Sequence, residues 1–235
     1  MKKVVVRLGG HLIADSSKIN VERISEFAKV FKEIYNKGYL LRVVVGGGYY
    51  AREYINTANY LSSSEFEKDY LAIMITRANA FLVMLALKEY AYNRIPQTLD
   101  EFLSINNLTN KIIVCGGLTP AQSTMTVAAI IAEAIGADLI VNMTDVDGVY
   151  THDPKKHPDA ELLKKITTCK LKNLLKNQLV RAGFYELIDQ HAINIIERSK
   201  IPLRIINGKC VENLLKVING EDIGTLVIVE ELNKK

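Results

Sequence analysis

Apolar and β-branched residues are concentrated in six short segments, and most of the stretches between them have the hydrophobic periodicity of helices. We predict strands at these segments, residues 4–8, 41–45, 111–115, 139–143, 203–206 and 225–229. Between the first two, residues 21–36 carry the apolar stripe of an amphipathic helix, which Gly38 ends. Alternating strands and helices predict an α/β fold, with a mostly parallel sheet covered by helices on both faces.

The longest predicted helix covers residues 64–92. Ser64 and Glu67 have the spacing of a capping box, and the largely apolar surface that follows predicts broad burial or a subunit interface. Asp69 interrupts this surface, and a carboxylate in such a place needs a partner or a ligand. It either accepts hydrogen bonds from ligand hydroxyls or forms an internal salt bridge with Arg77 or another cation.

The remaining stretches give weaker patterns. Residues 93–110 look less regular, and residues 155–168 look lysine-rich and irregular before a helix that runs to about residue 177. Further helices are predicted at 188–199 and 211–218. Because no internal repeat or linker interrupts the chain, we expect a single domain, 1–235, with two lobes at about 1–137 and 138–235.

Composition narrows the class of protein. The chain has 235 residues, 49% of them hydrophobic, which is ample for a packed core. There is no run of 18 apolar residues and no signal-peptide arrangement, so we expect a cytoplasmic protein without a membrane partner. A net charge of +4 is too small to predict a nucleic-acid partner.

Cysteine spacing argues against a disulfide framework and against a zinc site. Cys115, Cys169 and Cys210 are far apart, odd in number and without a CxxC pair. We therefore expect them to be small, buried or half-buried side chains, and we predict no metal site built by the protein.

Glycines end the first two strands. Gly9 and Gly10 follow the first, and residues 46–48 are three glycines that open a helix carrying Arg52. Free amides beside a helix N-terminus form an anion site, although the spacing is neither GxGxxG nor a P-loop. Arg52 could clamp a phosphate or be a plain surface residue. Arg7 is either an edge or salt-bridged side chain or a cation near a transferred phosphoryl group.

The third strand also delivers a loop to a helix. Two glycines at 116–117 lead into LTPAQST, where Ser123 or Thr124 caps a helix that Gly136 ends. The hydroxyls of Thr119, Ser123 and Thr124 could hold a ligand, but capping alone would also explain the last two.

The stretch LIVNMTDVDGVYTHDP, residues 139–154, passes from a buried strand into an aspartate-rich loop. Ligands gather at the carboxyl ends of strands in open α/β sheets, so this loop is a candidate binding segment; the alternative is an ordinary hairpin turn. Lys155 and Lys156 could reach phosphates from it, but exposed lysines are usually just solvated.

These features favour phosphoryl transfer. No Ser/His/Asp or Cys/His arrangement is apparent, and phosphoryl transfer relies on positioning and charge neutralisation instead. The elements RLGG, VVVGGGYYAREYI, FEKDYLAI with TRANAFL, VCGGLTPAQST and TDVDGVYTHDPKKHPDA have the order and spacing of the amino acid kinase superfamily. Over essentially its whole length the chain resembles the archaeal UMP kinases of that superfamily.

The resemblance implies a three-layer αβα sandwich of the carbamate kinase type, usually a homohexamer. It also implies transfer of the γ-phosphoryl group of ATP to UMP, with Mg²⁺, in pyrimidine nucleotide synthesis. The alternatives are a related kinase with a carboxylate or carbamate acceptor and a catalytically silent nucleotide-binding protein. Asp69 argues against a carboxylate acceptor, which it would repel.

The resemblance also implies roles for single residues, with the acceptor mainly in the first lobe and ATP mainly in the second. Arg7 would be catalytic. The ATP-binding residues would be Gly9, Gly10, Gly48, Arg52, Thr144, Asp145, Tyr150 and Asp153. The UMP-binding residues would be Gly47, Asp69, Leu118, Thr119, Pro120, Ala121, Gln122, Ser123 and Thr124.

Four positions depart from the family pattern. Many relatives have lysine in place of Arg7, and archaeal relatives often have asparagine in place of Asp145 and glycine in place of Ala121. The proline that relatives commonly carry after the aspartate matching Asp189 is missing, which we expect to alter only the start of a helix.

Overall fold

The computed structural model describes residues 1–152, 157, 159–178 and 187–230. Its centre is one seven-stranded sheet in the order β3-β2-β1-β4-β6-β7-β5. All neighbouring strands are parallel except β6 and β7, so the predicted mostly parallel sheet is confirmed. The strands are β1 Lys3–Leu8, β2 Leu40–Val45, β3 Ile113–Cys115, β4 Leu139–Thr144, β5 Lys165–Thr167, β6 Leu203–Asn207 and β7 Thr225–Ile228.

Helices cover both faces of this sheet and enclose two hydrophobic cores. Buried residues of α1, α3 and α8 form one core, and those of α4, α5, α6 and α7 form the other, which confirms the αβα sandwich. The helices are α1 Val21–Asn36, α2 Gly48–Tyr60, α3 Glu65–Leu87, α4 Leu99–Leu108, α5 Thr124–Ile135, α6 Thr168–Gln178, α7 Gln190–Ser199 and α8 Asn213–Ile218.

All six predicted strands are present, but two short elements were missed. Strand β5 lies in the stretch expected to be irregular, and only Ile166 at its centre is buried. Helix α4 lies in the other stretch that looked irregular. Thr98 caps it, and Phe102 and Ile105 anchor it in the core. Both elements are too short for a clear periodic pattern, and contacts with the rest of the fold stabilise them.

Helix α3 is the long helix expected from the sequence, and its capping box of Ser64 and Glu67 is confirmed. It ends earlier than predicted, because Lys88 adopts a positive φ of 54° and a short 3₁₀ turn, Lys88–Tyr90, follows. Among the described residues, this is the one helix with the length and composition of a membrane span. Its buried residues, including Val83 and Leu87, instead pack into the core beside the sheet.

The cysteines differ partly from expectation. Cys115 is buried, and burial raises the pKa of its thiol to about 12. Cys169 and Cys210 are exposed, although we expected buried or half-buried side chains. Cys169 lies in the first turn of α6 and Cys210 in the turn between β6 and α8, where the local sequence does not reveal which side faces solvent. All three thiols are free.

Candidate active site

The glycine loops that follow β1 and β2 lie directly against each other at the carboxyl edge of the sheet. A Cβ atom added at Gly10 would lie 2.3 Å from the carbonyl oxygen of Gly46 and 2.4 Å from the amide nitrogen of Gly48. Gly48 also has φ +65°, a conformation that side-chain-bearing residues rarely adopt. Only glycine therefore allows this contact, and it leaves two stretches of bare backbone side by side.

Helix α3 sets the orientation of the second glycine loop. Buried Asn79 donates through Nδ2 to the carbonyl oxygens of Gly46 (2.9 Å) and Gly47 (3.1 Å). In a planar trans peptide the following amide points the opposite way, so the amides of Gly47 and Gly48 face away from α3. Gly47 supplies no side-chain cap to α2, which leaves the first amides of that helix for an anion.

A second helix begins at the same place. Ser123 is the N-cap of α5, and its hydroxyl accepts hydrogen bonds from the amides of Met125 (3.1 Å) and Thr126 (3.0 Å). Thr124 is the first residue of the helix and accepts a hydrogen bond from Nε of Arg7 at 3.3 Å. Of the two capping candidates, Ser123 is the cap and Thr124 contacts the arginine.

Arg7 lies at the centre of the sheet, because β1 runs between β2 and β4. The interpretation of Arg7 as an edge residue is therefore wrong. Its half-buried side chain borders a cavity of about 170 Å³, and its Nη1 donates to Oδ1 of Asn142 at 3.4 Å. The other residues lining the cavity are Gly10, His11, Gly48, Arg52, Ser123, Met125, Ile188 and Asp189.

Positive charge dominates the described lining of this cavity. Arg7 and Arg52 border it together with the N-termini of α2 and α5. The carboxylate among the lining residues is that of Asp189, which accepts hydrogen bonds from Ser123, from Thr126 (2.7 Å) and from an amide in the first turn of α7 (3.0 Å). Because these donors offset its charge, the cavity suits phosphate groups.

The loop after β3 is held by the middle of α3. Thr76 accepts a hydrogen bond from the amide of Gly117 at 2.7 Å, and Nε of Arg77 donates to the carbonyl of Gly117 at 3.1 Å. Asp69 accepts a hydrogen bond from the amide of Ala121 at 2.7 Å. Arg77 donates to backbone carbonyls and forms no ion pair with Asp69, both of which the structure describes, so the predicted pair of these two residues is not formed; the role of Asp69 toward a ribose stays a prediction.

One carboxylate of the loop after β4, that of Asp147, holds the loop in place through two hydrogen bonds. Tyr150 donates to Oδ2 of Asp147 at 3.0 Å, and Asn207 at the end of β6 donates to Oδ1 of the same aspartate at 2.9 Å. Partial burial raises the pKa of Tyr150, and its hydrogen bond to Asp147 and the negative charge of that carboxylate raise it further. Tyr150 therefore stays protonated at neutral pH.

Thr144 and Asp145 stand at the carboxyl end of β4, close to the first glycine loop. Thr144 donates to Oδ1 of Asp145 at 3.3 Å, and Nε2 of His11 lies 3.9 Å from the same oxygen. His11 borders the cavity and had no predicted role. Asp153, predicted to contact ATP, lies outside the described residues, as do Lys155 and Lys156.

Apart from Asp69, Thr124 and the undescribed Asp153, the predicted site residues fall into three groups. Arg7, Gly10, Gly48, Arg52 and Ser123 border the cavity directly. Gly9 precedes the lining residue Gly10 and donates through its amide to the carbonyl of Met143 at 3.1 Å. Gly47 belongs to the glycine loop beside it. The loops at 118–122 and 144–150 lie on either side and do not border this cavity.

Besides His11, three polar residues in this region carry no predicted role: Asn79, Asn142 and Asp189. Asn142 had a signal in the sequence, because it is a lone amide within the apolar run of β4. Asn79 lies in the element TRANAFL, and Asp189 matches the aspartate that a proline commonly follows in relatives, but neither position indicated a contact, since an asparagine within a helix and an aspartate before one are common on ordinary helices.

A parallel sheet with glycine loops and two helix N-termini around an electropositive cavity is the architecture of a small-molecule phosphotransferase. The sequence profile of the amino acid kinase family matches residues 2–207, and the chain belongs to this family. Its relatives include the uridylate kinase of Sulfurisphaera tokodaii, 40% identical over 96% of this chain and 98% of that protein. The uridylate kinase of Methanobrevibacter smithii is 41% identical over 96% of this chain and 99% of its own length.

A solved structure leads to the same class of enzyme. The crystal structure of uridylate kinase from Archaeoglobus fulgidus covers 97% of this chain and 100% of its own, with 38% identity and a TM-score of 0.83. The similarity in sequence and in fold therefore extends over nearly the whole chain.

Proposed function

We propose that this protein transfers the γ-phosphoryl group of ATP to UMP, giving UDP and ADP in pyrimidine nucleotide synthesis. The observation that carries the proposal is the electropositive cavity beside the two glycine loops, bordered by Arg7 and Arg52. The cavity supports phosphoryl transfer. UMP is proposed as the acceptor because the chain is about 40% identical to named uridylate kinases over nearly all of its length.

The reaction explains why the described cavity pairs no nucleophile with a base. The attacking atom is a phosphate oxygen of UMP, which is already ionised near neutral pH and needs no proton removed. The protein then has to align the two phosphates and offset their charge. Arg7, the amides after Gly47 and the start of α5 are placed for this task.

The proposed ATP side uses Gly9, Gly10, Gly48 and Arg52 near the phosphates. The loop after β4, in the second lobe, then receives the nucleoside through Thr144, Asp145 and Tyr150. The hydroxyl of Tyr150 is engaged by Asp147, so its ring is held in place and offers an apolar face to the base.

The proposed UMP side uses Gly47, Asp69 and the loop 118–124. Asp69 already holds this loop through the amide of Ala121, and a carboxylate at that point suits ribose hydroxyls. The same negative charge would repel a carboxylate acceptor, which favours UMP over the acceptors of other kinases in the family.

Magnesium would enter with ATP. Among the described residues, no group of three or more His, Cys, Asp or Glu side chains could form a protein-built metal site. Single carboxylates such as Asp145 and Asp189 fit an ion carried mainly by the nucleotide phosphates, as is usual for Mg²⁺. When bound, the ion would neutralise negative charge on the phosphates.

A homohexamer in the cytoplasm is the assembly that we propose. Helix α3 has five large apolar side chains that are 45–65% exposed in the single chain: Phe66, Tyr70, Met74, Phe81 and Leu85. Such a stripe on a helix indicates an interface between subunits. Phe81→Glu should lower the molar mass in sedimentation, whereas an unchanged mass would rule out this face.

The experiment that tests the function is ADP release from Mg·ATP with a panel of acceptors. The panel contains UMP, CMP, AMP, aspartate, N-acetylglutamate, carbamate and no acceptor. Strong turnover with UMP alone is expected. Turnover with a carboxylate instead would move Asp69 out of the acceptor site. ATP binding without turnover on any acceptor would indicate a silent nucleotide-binding protein.

A further inference from the structure

Asn142 is the most deeply buried polar side chain beside the cavity. It lies on β4 with no exposed surface, within an otherwise apolar strand. An amide that is buried without hydrogen bonds destabilises a fold, so its partners need an explanation. Those partners are Arg7 and the backbone carbonyl of Leu187.

Backbone register places Asn142 next to Arg7. Strands β1 and β4 are parallel neighbours, and Arg7 pairs with Asn142 in their register. Both side chains project from the same face of the sheet, since Val5 and Ile140, two residues earlier on each strand, lie in one core cluster. The contact is therefore built by the rigid centre of the sheet and not by a loop.

Hydrogen-bond chemistry determines which end of the amide faces the arginine. Nδ2 of Asn142 donates to the carbonyl oxygen of Leu187 at 2.6 Å, and a carbonyl can only accept. Oδ1 must then point to the other side, where Nη1 of Arg7 donates to it at 3.4 Å. Leu187 thus fixes the amide, and the amide presents an oxygen to the guanidinium.

A second contact orients the other edge of the same guanidinium. Nε of Arg7 donates to Thr124 in the first turn of α5. Asp189, two residues after Leu187, is joined to that turn through Thr126. The arginine is therefore placed by β4 and α5 together, and the segment that leads into α7 ties these two elements to each other.

From this arrangement we infer that Asn142 is a positioning residue that orients Arg7 for phosphoryl transfer. The inference rests on the proposed function to the extent that Arg7 acts on a transferred phosphoryl group. A guanidinium is a planar fork, so its catalytic value depends on its rotation as well as on its charge. Asn142 limits that rotation from below the cavity without contacting the substrate.

The test is a double-mutant cycle with Arg7, measured with the acceptor that gives the unmodified protein its highest turnover. Asn142→Leu keeps the side-chain size and is expected to lower kcat about tenfold, with KM for ATP and for the acceptor changed less than threefold. In the Arg7→Met background, the same substitution should change kcat less than twofold. Equal losses in both backgrounds would overturn the inference.

Two further variants separate positioning from a structural effect. Asn142→Asp keeps an oxygen toward Arg7 but cannot donate to Leu187, so it should retain at least threefold more kcat than Asn142→Leu. If both variants lost kcat equally, the bond to Leu187 would be the cause and the inference would fail. Ile140→Val, on the same strand and face, is the matched control and should leave kcat unchanged.

The test stays decisive if UMP proves not to be the acceptor, because it uses whichever acceptor is turned over. A crystal structure of Asn142→Leu adds a readout that does not depend on activity. It should show the Arg7 guanidinium rotated from its present place beside Thr124, and an unmoved guanidinium would overturn the inference. If Asn142→Leu does not fold, Asn142→Ser, which is too short to reach both partners, replaces it.

Discussion

Two arginines on adjacent central strands point into the same layer of this protein but have opposite surroundings. Arg42 on β2 has no exposed surface, and its guanidinium donates to Asn106 and to the carbonyls of Leu41, Lys111 and Thr109. Burial lowers its pKa to about 10, which still leaves it charged at neutral pH. Its donors are directed at fixed acceptors of the protein itself.

Arg7 on β1 is half-buried and borders the cavity, and its described hydrogen bonds to Thr124 and Asn142 are long, at 3.3 and 3.4 Å. The difference shows how a buried cation is used. Where backbone carbonyls surround the guanidinium, it anchors one element to another, in this case the end of α4 to the sheet. Where it borders a cavity rich in amides, it is placed to meet an anionic ligand.

The largest expected effect comes from Arg7. Arg7→Met should lower kcat by roughly 10²–10³-fold, because it removes a charged donor directed at the transferred group. Thermal unfolding should change little, since a methionine can fill the half-buried position. Arg7→Lys is the graded control and should keep part of the activity, as it retains the charge but not the fork. Full activity of Arg7→Met would end its assignment as catalytic.

The reverse pattern is expected for Arg42. Arg42→Met should lower the free energy of unfolding by about 2–3 kcal/mol, because Asn106 and three buried or partly buried carbonyls lose their donor. For a chain of this size that corresponds to a fall in Tm of roughly 5–10 °C. Steady-state kinetics at 25 °C should stay within twofold of the unmodified protein. A large loss of kcat in a folded Arg42→Met variant would remove the contrast between the two arginines.

The same contrast between a structural and a ligand-binding role can be tested for the carboxylate of Asp69. Substitution of this residue is expected to have a smaller effect than the arginine variants. Asp69→Asn should raise KM for UMP about tenfold, or about 1.4 kcal/mol, and leave KM for ATP within twofold. The asparagine keeps an oxygen for the amide of Ala121, so the loop stays in place and only the charge is lost. Asp69→Ala removes both and should weaken UMP further. Equal weakening of ATP and UMP by Asp69→Asn would contradict the ribose assignment.

The smallest expected effect concerns the loop that Asp69 holds. Ala121 adopts φ +63°, which costs a residue with a Cβ atom about 1–2 kcal/mol. Glycine avoids this cost but loses about 0.5–1 kcal/mol more entropy on folding, so Ala121→Gly should stabilise the protein by about 0.5 kcal/mol. Ala134→Gly on the exposed side of α5 is the control and should destabilise it by about 1 kcal/mol. The free energy of unfolding of both variants can be measured by chemical denaturation. If both changed in the same direction, the backbone strain at Ala121 would be contradicted.

Hydrophobic periodicity was sufficient to predict most of the fold. Helix α1 was predicted with its observed bounds, and the capping box of α3 and the glycine end of α5 were predicted from a few side chains. These features depend on residues close together in the chain, where local sterics and hydrogen bonds dominate. Strand β5 and helix α4 are too short for that signal.

The site was predicted in part for the same reason. Glycine loops at strand ends and the position of Arg52 in a helix's first turns follow from local order in the sequence. That Gly10 contacts Gly46 and Gly48, that Arg7 is central and not at an edge, and that Asp69 binds a loop amide follow only from strand order and packing. The roles of the individual residues in binding ATP and UMP stay predictions that the variants above would test.

The sequence alone determined which segments form strands and helices, the α/β class and the family resemblance, because these depend on periodicity and on short motifs. The tertiary structure decided what Arg42, Asn79, Asn142 and Asp189 do, because each acts through partners more than 30 residues away or through a neighbouring strand. A polar side chain gives no sign in the sequence of whether its partner is a carbonyl, another side chain or a ligand. Only the register of the sheet and the packing of helices against it place that partner within hydrogen-bonding distance.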